Sequence, residues 1–173
     1  MLMKQKRLFL MSGIAGSGKS TWIQNRVAEN GGVWISRDAV RFSLLQPGDE
    51  YFSREDEVFD TYLERIQEAI NNDNVFDIYA DATHLNKKAR NKVIYNLNLK
   101  NIDELNCVYF DVSAEVAIAR NSNRTGQENV PDTVIRNMAA AHYPPLATEK
   151  FNKVIYVHED NTEEEVQHIC LLS

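Results

Sequence analysis

A glycine-rich segment carries the most specific chemistry in this chain. Residues 13–20 read Gly-Ile-Ala-Gly-Ser-Gly-Lys-Ser and fit the pattern G-x-x-x-x-G-K-[ST]. Glycines allow positive φ and carry no side chain, so successive backbone N–H groups can turn inward and cradle phosphates at a helix start. Lys19 is then expected to reach the β- and γ-phosphates of ATP, and the Ser20 hydroxyl to hold Mg²⁺. The predicted nucleotide-binding residues here are Gly13, Ala15, Gly16, Ser17, Gly18, Lys19, Ser20 and Thr21.

Two other interpretations of this segment are weaker. A strand-to-helix turn without a ligand would not need three of the chain's seven glycines within six residues. A dinucleotide site of the G-x-G-x-x-G/A type fits poorly, because Thr21 stands where a small third residue is expected and Lys19 has no task on a pyrophosphate. A nucleoside triphosphate is the better ligand.

Charged residues follow the second predicted strand, where ligands of open α/β sheets bind. Asp38 and Arg41 are three residues apart and therefore lie on one face of a starting helix. The carboxylate could accept the proton of an attacking hydroxyl while the arginine grips an anionic acceptor. The same spacing equally allows an N-cap Asp38 in a local ion pair with Arg41.

Further candidate site residues follow the third and fourth predicted strands. Asp81 occupies the Walker-B position that completes a Mg²⁺ environment, although a loop-capping aspartate would look the same. His84 is expected to be a hydrogen-bonded loop residue rather than a base. Arg120 and Arg124 stand in a polar loop, which is either an exposed charged loop or a lid whose arginine closes over the γ-phosphate.

The order of elements predicts an α/β fold. Continuous apolar runs alternate with helical spacing, which is the pattern of βαβ units with parallel strands buried on both faces. The predicted strands are Leu8–Ser12, Val33–Ser36, Val75–Ala80, Leu105–Val112 and Lys153–His158. The pattern predicts helices after an N-cap at Ser53, over about Asn86 to Lys100, from Pro131, and after a capping box at residues 162–165. The acidic run that begins at Glu55 is expected to be a solvated helix face.

Length and composition narrow the possibilities further. At 173 residues, with 43% hydrophobic and 25% charged residues, the chain is expected to form one domain over 1–173. Its net charge of −6 argues against coating nucleic acid or membrane, yet residues 1–37 and 82–102 each carry +5, which predicts a basic working face. Cys107 and Cys170 lack metal-ligand spacing, so we expect neither a disulfide nor zinc. The expected location is the cytoplasm, without a membrane span or an obligate protein partner.

Five segments, taken in order, resemble the 5′-kinase domain of polynucleotide kinases and, more broadly, the zeta-toxin-like group of P-loop kinases. The resemblance covers about residues 8–157. The sequence contains no D-x-D-G-T segment, which marks the phosphatase domain that accompanies many polynucleotide kinases, so a kinase without phosphatase activity is expected. The segments are GIAGSGKST, SRDAVR, YADATHLNKKAR, ARNSNRTG with VPDTVIRNM, and YPPLATEKFNKVIYV. The resemblance implies an AAA-type, three-layer P-loop fold with a five-stranded parallel sheet and helices on both faces.

The resemblance also implies roles for individual residues. Asp38 would be the general base that activates a 5′-hydroxyl, Arg41 would contact the acceptor's phosphate, and Arg124 would be the lid arginine on the ATP phosphates. Asp81 would support the metal and the P-loop, beside Lys19 and Ser20.

Three functions follow as hypotheses. The first is an ATP- and Mg²⁺-dependent kinase of a polynucleotide 5′-hydroxyl end. The second is a kinase of a small anionic metabolite, such as a nucleoside or sugar nucleotide. The third is an accessory ATPase or switch with no phosphoacceptor.

Overall fold

The structure, a computed structural model, describes residues 2–126 and 129–168. Its strands are β1 (Arg7–Ser12), β2 (Val33–Ser36), β3 (Asp77–Asp81), β4 (Glu104–Asp111), β5 (Lys153–His158) and β6 (Glu163–Gln167). They form one sheet in the order β2-β3-β1-β4-β5-β6. The first five strands are parallel, and β6 pairs antiparallel with β5. The predicted α/β class and parallel sheet are confirmed, and the strand count rises from five to six.

Helices cover both faces of the sheet. They are α1 (Lys19–Asn30), α2 (Arg37–Leu44), α3 (Glu55–Asn71), α4 (Lys87–Ile94), α5 (Ala114–Asn121) and α6 (Asp132–Ala140). Alternate residues of β1 divide between two apolar clusters: Leu8 and Leu10 face α2, α3 and α4, whereas Phe9 and Met11 face α1, α5 and α6. This is the three-layer arrangement expected from the sequence. Among the described residues, no helix combines the length and the hydropathy needed to cross a bilayer.

The last predicted element is wrong. Residues 163–167 form the edge strand β6, not the start of a helix. The Thr162 hydroxyl is already bound to Asp160 Oδ1 at 2.6 Å, and His158 N donates to Thr162 O at 2.9 Å, which closes a hairpin. Long-range pairing with β5 therefore outweighs the local capping pattern. A row of glutamates also suits an edge strand, because exposed charge discourages pairing with another sheet.

Two predicted helix boundaries also shift. Helix α4 begins after the Asn86 cap, as expected, but ends at Ile94 rather than near Lys100. The asparagines beyond it bind backbone locally, and Asn96 Nδ2 donates to Lys92 O at 2.7 Å, which favours turns over helix. Helix α3 is capped at Arg54, because the Ser53 hydroxyl instead donates to Glu50 O at 2.7 Å.

Candidate active site

The loop between β1 and α1 has the backbone shape that its glycines predict. Gly16 and Gly18 have φ of 82° and 98°, in the left-handed region. A Cβ at Gly16 would lie 2.4 Å from the Ala117 carbonyl oxygen, so α5 packs directly against the loop. Gly13 N donates to Thr83 O at 2.9 Å, which ties the loop to the segment after β3. The result is a rigid cradle at the N-terminus of α1, where backbone N–H groups favour phosphate.

Lys19 spans this cradle. Its Nζ donates to the carbonyl oxygens of Gly13, at 3.0 Å, and Ile14, at 2.9 Å. Burial lowers the pKa of Lys19, while the nearby carboxylates of Asp81 and Asp38 oppose that shift. The ammonium therefore sits among anionic groups, where phosphate oxygens could replace the two carbonyl contacts.

Ser20 and Asp81 place oxygen atoms that could hold a metal at the same edge of the sheet. Ser20 is exposed in the first turn of α1, and Asp81 ends β3 opposite Ser36 of β2. Burial raises the pKa of Asp81, whereas Lys19 and the hydrogen bond from Trp34 Nε1, at 3.0 Å, lower it. One hydroxyl and one carboxylate fit Mg²⁺, which usually keeps several waters and few protein ligands. Accordingly, the described residues contain no cluster of three or more His, Cys, Asp or Glu side chains that could hold a metal.

Asp38 and Arg41 form an ion pair on α2, and Ser36, not Asp38, caps the helix. The buried Arg41 also binds Glu55 through two bonds of 2.7 and 3.1 Å and donates to the Tyr51 hydroxyl at 3.1 Å. Tyr51 in turn donates to Asp38 Oδ1 at 3.1 Å. Asp38 Oδ1 thus accepts both bonds, and no hydrogen bond reaches Oδ2 from the described residues. The carboxylate is oriented, and its side chain is 66% exposed.

Glu55 does not have the predicted role of a solvated helix residue. It accepts two bonds from Arg41 and a third from Arg37 Nη2, at 3.1 Å, so α3 is tied to α2 at both residues. The sequence alternative of an N-cap Asp38 in a local ion pair with Arg41 is correct for the ion pair and wrong for the cap, which Ser36 provides. A contact between Arg41 and an acceptor phosphate stays a prediction.

The two arginines after β4 differ in their surroundings. Arg120 reaches the P-loop, where Nη1 donates to Ser17 O at 3.1 Å, and Nη2 donates to Glu159 O at 2.8 Å. Arg124 lines the cleft that also contains Lys19 and Asp81. Buried Asn121 bonds to both Val130 N and Val130 O, at 3.1 and 2.7 Å, and so fixes where the loop returns to α6. Arg120 is therefore a structural support, and Arg124 is the arginine placed at the cleft.

His84 is a structural residue, as expected. It has φ of 38°, its Nδ1 donates to Met11 O, and the Tyr62 hydroxyl donates to its Nε2 at 3.4 Å. Burial is the main cause that lowers the pKa of His84 to about 3. The imidazole is neutral at physiological pH and stays enclosed below the site.

One cleft of about 1420 Å³ gathers most of the predicted site. The predicted residues that line it are Ala15, Gly16, Gly18, Lys19, Ser20, Asp38, Arg41, Asp81 and Arg124. Three predicted residues do not: Gly13 and Ser17 are buried in the loop itself, and exposed Thr21 points elsewhere. The Ser17 hydroxyl is buried without a hydrogen-bond partner among the described residues, which suits a polar ligand in the cradle.

The predicted basic face is only half correct. The segment 82–102 was expected to border the cleft, but its residues Lys87, Lys88, Arg90 and Lys92 do not line it. Arg90 is fully buried in an ion pair with Glu149, and the three lysines lie on the exposed side of α4. Parallel strands deliver only the loop directly after each strand to the site, and these four side chains lie on α4, beyond the loop that follows β3.

Several cleft residues carry no signal of function in the sequence. Trp34 lies in an ordinary strand pattern and Glu55 in an acidic helix run, so neither stands out before folding. The adjacent pair Tyr51 and Phe52 is different, because two large aromatics in a polar loop after Pro47-Gly48 could have indicated a contact surface. All four line the cleft.

The sequence profile of a family described as an AAA domain, AAA_33, matches residues 8–145. The chain belongs to this AAA domain family. The match spans the glycine-rich loop, Asp38, Asp81 and Arg124, and with the fold it confirms the predicted P-loop nucleotide-binding domain. The match ends before β5, which completes the parallel part of the sheet.

Solved structures similar to this AAA domain include kinases of different acceptors. A gluconokinase from Sinorhizobium meliloti 1021 has a TM-score of 0.61 and 19% identity, covering 91% of this chain and 84% of that one. A chain of the Pnkp1/Rnl/Hen1 RNA repair complex has 0.65 and 18%, covering 81% and 45%. A fungal RNA kinase has 0.57 and 14%, covering 100% and 81%. At these identities the likeness shows the P-loop kinase fold alone, and the acceptor differs between neighbours.

Proposed function

We propose that this AAA domain is an ATP-dependent phosphotransferase that moves the γ-phosphate of ATP to the 5′-hydroxyl end of a polynucleotide. The observation that supports this most directly is the placement of Asp38. Its carboxylate is exposed, fixed at Oδ1 and open at Oδ2, and it lines the same cleft as Lys19, Asp81 and Arg124. Such a site combines a general base for the acceptor hydroxyl with a phosphate-binding loop for ATP.

The donor side would work through position and charge. The loop N–H groups and Lys19 would hold the β- and γ-phosphates, and Ser20 and Asp81 would hold Mg²⁺. The metal, when bound, neutralises charge that develops on the phosphate oxygens. Arg124 would add a positive charge on the open side of the γ-phosphate.

The acceptor side would begin with a proton transfer. As the acceptor hydroxyl oxygen forms a bond to the γ-phosphorus, its proton moves to Asp38 Oδ2, and the bond from the γ-phosphorus to the bridging oxygen breaks. ADP leaves with that electron pair, and Asp38 later releases its proton to solvent. Arg41 and Tyr51 keep Oδ1 occupied, so Oδ2 would be the oxygen that faces the hydroxyl.

The choice of a polynucleotide end as the acceptor is supported by similarity. Two of the structural neighbours are a chain of an RNA repair complex and a fungal RNA kinase. The gluconokinase and a second sugar kinase support the rival candidate, a kinase of a small metabolite, and both cover about nine-tenths of this chain.

Transfer from labelled ATP to a 5′-hydroxyl oligonucleotide tests the proposal. The wild type should label the oligonucleotide, and Asp38→Asn should lower kcat by about 10²- to 10⁴-fold, because the base is lost while the shape is kept. Asp56→Asn is the matched control, since Asp56 is an exposed aspartate in the first turn of the neighbouring helix α3 and lies outside the cleft lining.

Each other outcome has a defined meaning. Label transfer to a panel of metabolites, but not to oligonucleotides, would establish the second candidate. Hydrolysis of ATP without transfer to any acceptor would point to an accessory ATPase. Equal transfer by Asp38→Asn and wild type would remove Asp38 from the mechanism.

A further inference from the structure

An aromatic cluster flanks the proposed base. Phe42, Tyr51 and Phe52 line the cleft on the side of Asp38. Tyr51 is the centre of the cluster: its ring centroid lies 6.0 Å from that of Phe42 and 4.6 Å from that of Phe52, both edge-on. Because the Tyr51 hydroxyl binds Asp38 at 3.1 Å, the cluster is coupled directly to the proposed catalytic carboxylate.

The two phenylalanines are exposed in a way that packing does not explain. Phe52 is 67% exposed and Phe42 is 38% exposed, whereas Phe9, Phe110 and Phe151 of the same chain are all buried. Leaving a phenylalanine ring in water forgoes the stabilisation that its burial would contribute. A large apolar surface beside a polar catalytic cleft is the usual mark of a binding contact.

The positive charge beneath the cluster is already neutralised. The Arg41 guanidinium lies over the rings of Tyr51, at 4.7 Å, and Phe52, at 5.6 Å. Its charge is matched by bonds to Glu55 and Asp38, so the exposed rings of the cluster present an apolar rather than a strongly cationic surface. Such a surface suits the face of a nucleobase and offers little to a polyhydroxy sugar acid.

We infer that Phe52, with Phe42, stacks the terminal nucleobase of the acceptor and so selects a nucleic-acid end over a sugar. This inference rests on the proposed function and names the part of the acceptor that the site recognises. In this arrangement the aromatic cluster holds the base while the 5′-hydroxyl of the same nucleotide reaches Asp38 Oδ2. Phe52 is then a specificity-determining residue, and Tyr51 links nucleobase recognition to the general base Asp38.

Paired oligonucleotides test the stack. One has a normal 5′-terminal nucleotide, and the other has an abasic sugar at that position with the same 5′-hydroxyl. For wild type, the abasic end should raise the acceptor KM by at least about 5-fold, since stacking on an aromatic is worth about 1–3 kcal/mol per base. For Phe52→Leu, the KM of the normal end should rise by a similar factor, with kcat and the KM for ATP unchanged.

A control variant separates stacking from general loss of apolar surface. Tyr143→Leu changes an aromatic that is 61% exposed outside the cleft lining, and it should behave as wild type. Phe52→Trp should restore the low KM of the normal end, because a larger ring stacks at least as well. Binding of the two oligonucleotides without ATP, followed by fluorescence anisotropy, should show the same order as the KM values.

The failures are distinguishable. If wild type labels oligonucleotides with the same acceptor KM for the normal and abasic ends, or if Phe52→Leu keeps the wild-type KM, the stacking inference is wrong and the phosphotransferase proposal stands. If wild type neither binds nor labels oligonucleotides, both the stack and the polynucleotide acceptor are overturned.

Discussion

Arg124 and Lys19 approach the proposed γ-phosphate position with different roles. Lys19 belongs to the P-loop and already contacts the Gly13 and Ile14 carbonyls. Its lowered pKa arises first from burial, and the positive charge of Arg124 also contributes, so the two cations lie close together. Two cations held near each other repel until an anion enters. Their combined electrostatic attraction for the γ-phosphate is therefore strongest when the negative charge on its oxygens is greatest.

Replacing Arg124 by alanine should separate rate from affinity. We expect kcat to fall about 10³-fold or more while the nucleotide Kd changes little, since the charge that Arg124 meets grows in the transition state. Steady-state kinetics and nucleotide titration measure the two quantities. Arg136→Ala is the matched control, because Arg136 is an exposed arginine on α6 paired with Glu115. An unchanged kcat with a raised KM for ATP would show that Arg124 only binds the ground state.

At the scale of elements, structure set by a local sequence pattern can be predicted, whereas structure set by long-range strand pairing cannot. β2 and β5 form over the predicted residues, since continuous apolar runs identify buried parallel strands. β6 was missed because its only signal is local and helix-like, whereas its stability comes from pairing with β5. The same division holds for the site.

Motif residues such as Lys19 and Asp81 are predictable because local sequence places each of them at the cleft, Lys19 after the glycine-rich loop that follows β1 and Asp81 at the end of β3. Glu55 is not, because its partner Arg41 is brought to it only when α2 packs on α3. The position and exposure of Phe52 also depend on how the 45–54 loop folds over α2. Pairwise contacts between separate helices leave no periodic signal in the sequence.

Helix α4 is joined to the segment before β5 by a buried ion pair. Arg90 donates to Glu149 through bonds of 2.7 and 3.0 Å, and its Nη1 binds the carbonyl oxygen of Tyr143 at 3.0 Å. Nη1 also reaches Ser12 Oγ and His84 O, both at 3.3 Å. One guanidinium thereby fixes the end of β1, the loop after β3 and the approach to β5.

Breaking this pair from one side should destabilise the fold strongly. Glu149→Gln leaves the Arg90 charge buried, and we expect it to lower the free energy of unfolding by about 3–5 kcal/mol. The double variant Arg90→Met/Glu149→Met should lose less than the sum of its two single variants, because no charge remains unpaired. Urea unfolding of the wild type, Arg90→Met, Glu149→Met and the double variant measures the coupling. Glu115→Gln, which breaks an exposed pair with Arg136, should leave the unfolding midpoint unchanged, and strictly additive losses at 90 and 149 would contradict a coupled pair.

At the scale of the whole molecule, the net charge of −6 is distributed away from the cleft. The charged residues that line the cleft are Lys19, Arg37, Arg41, Arg65 and Arg124 against Asp38, Glu55, Glu68 and Asp81. The edge strand β6 carries three of the chain's acidic residues at the opposite side of the sheet. In the proposed reaction, anion binding would therefore depend on groups placed within the cleft rather than on a basic surface, as expected if the protein binds one end of a nucleic acid.

The stability of the whole domain should fall in acid, in part because of His84. Burial lowers the pKa of this residue to about 3, helped by neighbouring positive charges and opposed by its bond to Met11 O. The neighbouring charges are those of Arg37, Lys19 and Arg90. Between pH 7.5 and 5 the unfolded chain protonates His84, whose ordinary pKa is about 6.5, while the folded chain does not. The unfolded state binds more protons there, so stability decreases as the pH falls, by about 2 kcal/mol from this group.

His84→Asn isolates that contribution, because asparagine tolerates the φ of 38° at this position. The variant should be less stable than wild type at pH 7.5, since the bond from Nδ1 to Met11 O is lost. Its further loss between pH 7.5 and 5 should be smaller than that of wild type by about 2 kcal/mol, measured as the difference of two urea unfolding free energies. Buried carboxylates and His142 affect both proteins alike and cancel in the comparison. Equal losses in the two proteins would mean that His84 takes up a proton in the folded state, and that its enclosure between Met11 and Tyr62 opens at pH 5.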